Sequence, residues 1–154
     1  MIMKKIIVLV IALLGVCMAQ SQVKPVIAKK PSACETLAVF DTTSTPNLGI
    51  IIASGDIETA WNAVRLGVYS QQQGDLVVIF VTGKGLDAFM QKQDKFDVFN
   101  LEAMSESFWA NGGKIYSCAS CAKVRGTEEV QSCTITGIAD LYQIVKRSKR
   151  VLTF

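Results

Sequence analysis

At 154 residues the chain has room for one ordinary domain and not for two. Half of it is hydrophobic, 19% is charged and only 3 residues are proline, so a disordered or collagen-like chain is excluded. The formal net charge is +3 and there is no histidine, which excludes Ser-His-Asp and Cys-His catalysis, His-ligated metals and haem attachment through Cys-x-x-Cys-His.

The N-terminus accounts for part of the apolar excess. Lys4 and Lys5 precede an apolar run from Ile6 to Leu14, and Cys17, Met18 and Ala19 form a small-x-small exit before Gln20. These are the parts of a secretory signal peptide over residues 1–19, cleaved after Ala19. The run is short for a bilayer span, so no stable membrane insertion is expected after cleavage. A lipoprotein acylated on Cys17 is the lesser alternative, because bulky Val16 stands where a small residue is wanted. Without residues 1–19 the hydrophobic share falls to about 45% and the net charge to +1. Nothing in that balance favours nucleic acid or an anionic membrane. The reading is a periplasmic or secreted protein, in which Cys34, Cys118, Cys121 and Cys133 permit disulfides without fixing their pairing.

Residues 20–47 hold all three prolines (Pro25, Pro31, Pro46) and read as an extended lead-in, with one short strand at 36–41. From residue 48 the pattern is regular. Residues 48–53 form a β-branched run that suits a strand buried on both faces. Asp56 caps a helix with Ile57, Ala60, Trp61, Val64 and Val68 on one face, ended by Gly74. Residues 76–81 make a second buried strand closed by Thr82-Gly83-Lys84-Gly85, and a short helix follows at 86–91. Asn100 caps a helix that turns Leu101, Met104 and Phe108 inward and stops at Asn111-Gly112-Gly113. Residues 114–117 read as a third strand, 118–125 as a helical turn ending at Gly126, and 133–136 as a fourth strand. Ile138, Leu141, Tyr142 and Val145 form the inner stripe of a last helix, before a closing strand at 151–154. Strands that alternate with helices and are apolar on both faces predict a three-layer α/β/α domain over 48–154, with a mainly parallel sheet of about five strands.

The chemistry concentrates at Cys118-Ala119-Ser120-Cys121, directly after a strand and at the start of a helical turn. Ligands of parallel α/β sheets bind outside the carboxyl ends of strands. A helix N-terminus stabilises a thiolate, and Arg125 can add positive charge. Such a thiol is a nucleophile without histidine, suited to attack on sulfur; the plain alternative is a structural disulfide or buried thiols. A thioredoxin-like reading fails, since the motif comes late and no proline follows Pro46. A zinc site from Cys34, Cys118, Cys121 and Cys133 offers one close pair where two are usual, so no metal is expected. The turn 82–85 resembles an anion-binding turn but lacks a phosphate-loop pattern, so no nucleotide cofactor is expected. Lys84 is a weak candidate for holding an anionic sulfur species, against the default of an exposed turn lysine.

The segment Gly113-Lys-Ile-Tyr-Ser-Cys118-Ala-Ser-Cys121-Ala-Lys-Val-Arg125-Gly126 resembles the cysteine segment of the DsrE/DsrF-like (YchN-like) sulfur-relay family. So do the tail segments 135–141 and 149–154, and the opening strand and helix at 48–73. The resemblance implies a flavodoxin/Rossmann-like topology and assembly into a homotrimer or homohexamer. It also implies a persulfide on Cys118, with Arg125 its neighbour and Cys121 the second cysteine, exchanged with a sulfur donor or acceptor protein. The apparent export and the Cys34 lead-in depart from the family pattern, which points away from tRNA thiolation and toward extracytoplasmic sulfur trafficking. Two other classes stay open: a non-catalytic oligomeric binding protein with structural disulfides, and an exported thiol-disulfide oxidoreductase.

Overall fold

The structure, a computed structural model, describes residues 40, 43, 45–94 and 97–154. The signal segment, Cys34 and all of the 36–41 strand except Phe40 lie outside the described residues.

Five strands form one all-parallel sheet in the order β4-β3-β2-β1-β5. The elements are β1 (Leu48–Ile52), α1 (Ile57–Gln72), β2 (Val77–Val81), α2 (Gly85–Met90), α3 (Leu101–Ala110), β3 (Lys114–Cys118), α4 (Ala119–Val124), β4 (Thr134–Thr136), α5 (Ile138–Arg147) and β5 (Arg150–Thr153). Each strand and helix read from 48 onward stands within one residue of these bounds at most ends. The β-branched runs are stopped abruptly by Gly, Asp and Asn, so little is left to fray.

Side chains alternate across the sheet and build two cores. Leu48, Ile50, Ile52, Val77, Ile79, Val81 and Ile115 meet α1, α2, α3 and α4 on one face. Val78, Phe80 and Tyr116 meet Phe40 and Ile144 of α5 on the other. Full burial of one such aliphatic side chain contributes about 1.5–3 kcal/mol, so the first face carries most of the stabilisation. The Asp56 carboxylate accepts from the Thr59 amide (2.8 Å) and hydroxyl (2.7 Å), which starts α1 where the sequence places it.

The last helix corrects the sequence reading. Ile138, Tyr142 and Val145, expected to point inward with Leu141, are 75%, 58% and 46% exposed. Asp140 and Ile144 are the buried residues of α5, and Leu141 is half-buried. At 100° per residue, the helix is turned by roughly 130° from its apolar stripe. The reason lies in hydrogen bonding. The Asp140 carboxylate accepts from the Phe40 amide at 2.8 Å and from the Thr136 hydroxyl, so burying it satisfies two buried donors at once.

Asp140→Ala removes the acceptor of both donors and should cost about 1–3 kcal/mol in urea denaturation. An unchanged midpoint would show that this carboxylate does not set the rotation of α5.

Candidate functional site

In the parallel ladder Val81 stands opposite Ser117. The chain therefore leaves β2 at Thr82 and β3 at Cys118 side by side. The crevice between β1 and β5, where strand order reverses, is taken by backbone: the Ala53 and Ser54 amides donate to the Phe154 carbonyl at 2.8 and 3.2 Å. The apolar recess bordered by Phe40, Pro46, Leu76, Lys114 and Tyr116 lies toward the amino ends of the strands, away from the rim that carries Cys118 and Cys121. Among the described residues, that β2–β3 rim is where the candidate chemistry gathers.

One turn of α4 carries Cys121 back over the end of β2. Its sulfur accepts from the Gly83 amide at 3.3 Å and lies 3.8 Å from the Thr82 hydroxyl. Gly83 has φ +55, a conformation favoured by glycine that turns this amide toward the sulfur. Gly85 fixes the next step, since a Cβ there would lie 2.4 Å from the Ile52 carbonyl oxygen. The turn is held against the sheet and cannot slide.

Arg125 closes the site from the far end of α4. Its Nη1 donates to the Cys121 carbonyl at 3.1 Å and its Nε to Asp87 Oδ1 at 2.6 Å. An exposed pair of this kind adds little stability; what it supplies is the position of a fixed positive charge. The Arg125 guanidinium holds the Asp87 carboxyl below its usual range.

The two thiols differ. Cys118 packs against the second core and makes no side-chain capping hydrogen bond to α4. Burial first, and then its hydrogen bond to the Cys121 sulfur, push the Cys118 thiol up. Burial also opposes ionisation of Cys121. It is outweighed by hydrogen bonds from Cys118, the Gly83 amide and the Thr82 hydroxyl, together with the Arg125 charge, and the Cys121 thiol is lowered. Cys133 stands apart, preceding β4 at the level of Ile115, three residues below the Thr136 that pairs with Cys118. That separation is about 10 Å.

The structure thus brings together Cys118, Cys121 and Arg125. Lys84 is exposed at the start of α2, and its charge bears on Asp87. Thr82, Gly83 and Asp87 are participants that sequence reasoning did not single out. The anion-binding look of residues 82–85 was the available signal, and Gly83 is the residue of that turn whose amide meets the Cys121 sulfur.

Residues 49–154 match the DsrE/DsrF-like family. The chain belongs to that family. It is 27% identical over 100 residues to the uncharacterized protein MK0008 of Methanopyrus kandleri, covering 63% of this chain and 83% of that protein. The fold is similar to the crystal structure of the ychN protein from E. coli, with a TM-score of 0.62 at 22% identity, over 71% of this chain and 99% of that one. It is also similar to BT1422, a conserved protein of unknown function from Bacteroides thetaiotaomicron, with a TM-score of 0.56 at 14% identity over 70% and 95%. The expected α/β class and the expected family both hold.

Cys118, Cys121 and Cys133 are free thiols. Burial pushes the Cys133 thiol far up, so although it is partly exposed, as Cys118 and Cys121 are, it should alkylate more slowly than either in the native protein and at full rate only after denaturation. Native labelling of Cys133 at a rate near that of Cys118 or Cys121 would contradict this placement.

Proposed function

We propose that this protein is an extracytoplasmic sulfur-relay protein that carries sulfane sulfur as a persulfide on the Cys118–Cys121 pair, with Arg125 as the neighbouring charge. The observation that carries this reading is the pair of free thiols at the rim, with the Gly83 amide, the Thr82 hydroxyl and the Arg125 guanidinium around it. Membership of the DsrE/DsrF-like family supports sulfur relay as its general context. The leader at 1–19 supports the location. Attack of a thiolate on sulfur needs no general base once the thiolate is stabilised, which fits a chain with no histidine.

The partners are a sulfur donor or acceptor protein and further copies of the chain, as a homotrimer or homohexamer. The outward stripe of Ile138, Tyr142 and Val145, with Leu152 of β5 also exposed, supports self-association. Light scattering should give the mass of three or six chains, and Tyr142→Glu should shift it toward one. A wild-type monomer at micromolar concentration would remove the assembly.

Incubation with thiosulfate or a low-molecular-weight persulfide should add the mass of one sulfur atom to the wild type, removable by a dithiol. A Cys118→Ser, Cys121→Ser double variant should add none. Absence of sulfur on the wild type overturns the relay. Loss of two hydrogens with neither sulfur uptake nor release of hydrosulfide supports the thiol-disulfide oxidoreductase reading instead, which the neighbouring free thiols also suit.

A further inference from the structure

The spacing of the motif nominates the first cysteine as the carrier, yet the surroundings of the two sulfurs favour the second. Cys121 receives the Gly83 amide, a fixed donor from a turn that Gly85 pins against β1, and stands beside the Thr82 hydroxyl of the same turn. Its carbonyl is held by Arg125, which is held in turn by Asp87. Cys118 makes no side-chain capping hydrogen bond, α4 spans six residues, too short to supply a strong terminal dipole, and the Cys121 amide and Thr82 hydroxyl that favour its thiolate are outweighed by burial. The titratable and charged groups bearing on Cys121 are Cys118 from β3 and Arg125 from the end of α4. Asp87 of α2 is engaged with Arg125, and Lys84 bears on Asp87.

We infer that Cys121 is the thiolate that attacks the sulfur donor, that the Thr82–Gly83 turn is the cradle for its negative charge, and that Cys118 is its protonated partner. This rests on the relay reading for the identity of the substrate, but not for the order of the two thiols. Cys121 attacks the sulfane sulfur of a persulfide or of thiosulfate. A new S–S bond forms as the donor's S–S bond breaks, and the bonding pair leaves on the donor thiolate or on sulfite. An acceptor thiolate then takes the outer sulfur and returns the electron pair to Cys121, so the cycle is redox-neutral. If Cys118 attacks the Cys121 sulfur first, the outer sulfur departs as hydrosulfide and a Cys118–Cys121 disulfide remains, to be reset by a dithiol.

The test is the pH dependence of iodoacetamide labelling, read peptide by peptide on the full chain. One unit of lowered pKa gives about tenfold more thiolate, offset about threefold by weaker nucleophilicity, so a net gain of about threefold per unit is expected. Cys121 of the wild type should therefore label faster than Cys118 at pH 7, by about threefold for each unit that separates the two thiols. Thr82→Val should raise the midpoint for Cys121, and in Cys121→Ser the Cys118 thiol should label at the pH of an ordinary cysteine or above. Slow labelling of Cys133 certifies the fold of each variant. Faster or equal labelling of Cys118, or no shift in Thr82→Val, overturns the assignment. Loading with thiosulfate separates the two readings. Sulfur on Cys121→Ser as on the wild type sinks the assignment and leaves the relay. Correct labelling with no sulfur on any form sinks the relay and leaves Cys121 as the reactive thiolate.

Discussion

Val81 and Ser117 stand level in the β2–β3 ladder, so the chain leaves both strands at one height and the two following turns must share a patch of the rim. The site depends on this register. A slip of one residue would turn Cys118 to the opposite face and carry Gly83 away from Cys121. The register is kept by burial on both sides of β2, whose five residues are all buried. The turn after β2 is kept by Gly85, whose bare Cα rests against the Ile52 carbonyl. Core packing and the chemistry of the thiols are therefore one problem, solved by the same strands.

A chain without histidine has no side-chain base titrating near neutrality in ordinary surroundings. Here the work falls to donors that do not titrate there: a backbone amide, a hydroxyl and a guanidinium. They are held in place before the reaction begins, so negative charge on Cys121 is met without reorganisation. This arrangement is poor for breaking amide or ester bonds, where a leaving group needs a proton. It is adequate for exchange between sulfur atoms, where the leaving group is itself a stable anion. In the proposed cycle the one exception is a proton on Cys118, which would serve an outer sulfur expelled as hydrosulfide.

The strands and most helices were legible because their signals are local: β-branched runs, Asp56 and Asn100 at helix starts, glycines at the ends. What was illegible depends on contacts distant in sequence. The amide that faces Cys121 comes from Gly83, 38 residues earlier, and a backbone donor leaves no mark in the residue type beyond the glycine itself. Lys84 carries the more conspicuous charge in that turn but bears on Asp87. The pairing of Arg125 with Asp87 is equally remote, and no spacing rule joins a residue of α2 to the end of α4. The inner stripe of α5 failed for a related reason. Its apolar residues are contiguous, yet a buried carboxylate with two donors outweighs three exposed side chains when the helix chooses its face.

That choice bears on the cysteines. The pair bridges two unequal cores, with Cys121 packed against the face covered by four helices and Cys118 against the face covered by α5 and Phe40. Thr136, which donates to Asp140, is the residue paired with Cys118 across β3 and β4. Phe40, which also donates to Asp140, packs edge-on against Tyr116 at 6.3 Å, two residues before Cys118. One buried carboxylate thus ties the end of the lead-in, the edge strand and the last helix to Cys118. Cys121 is held by the deep face, while Cys118, which in the proposed relay moves to resolve or release sulfur, belongs to the thin one. Local opening is easiest where few apolar contacts oppose it, so this division gives the mobile step to the side of the sheet that can accommodate it.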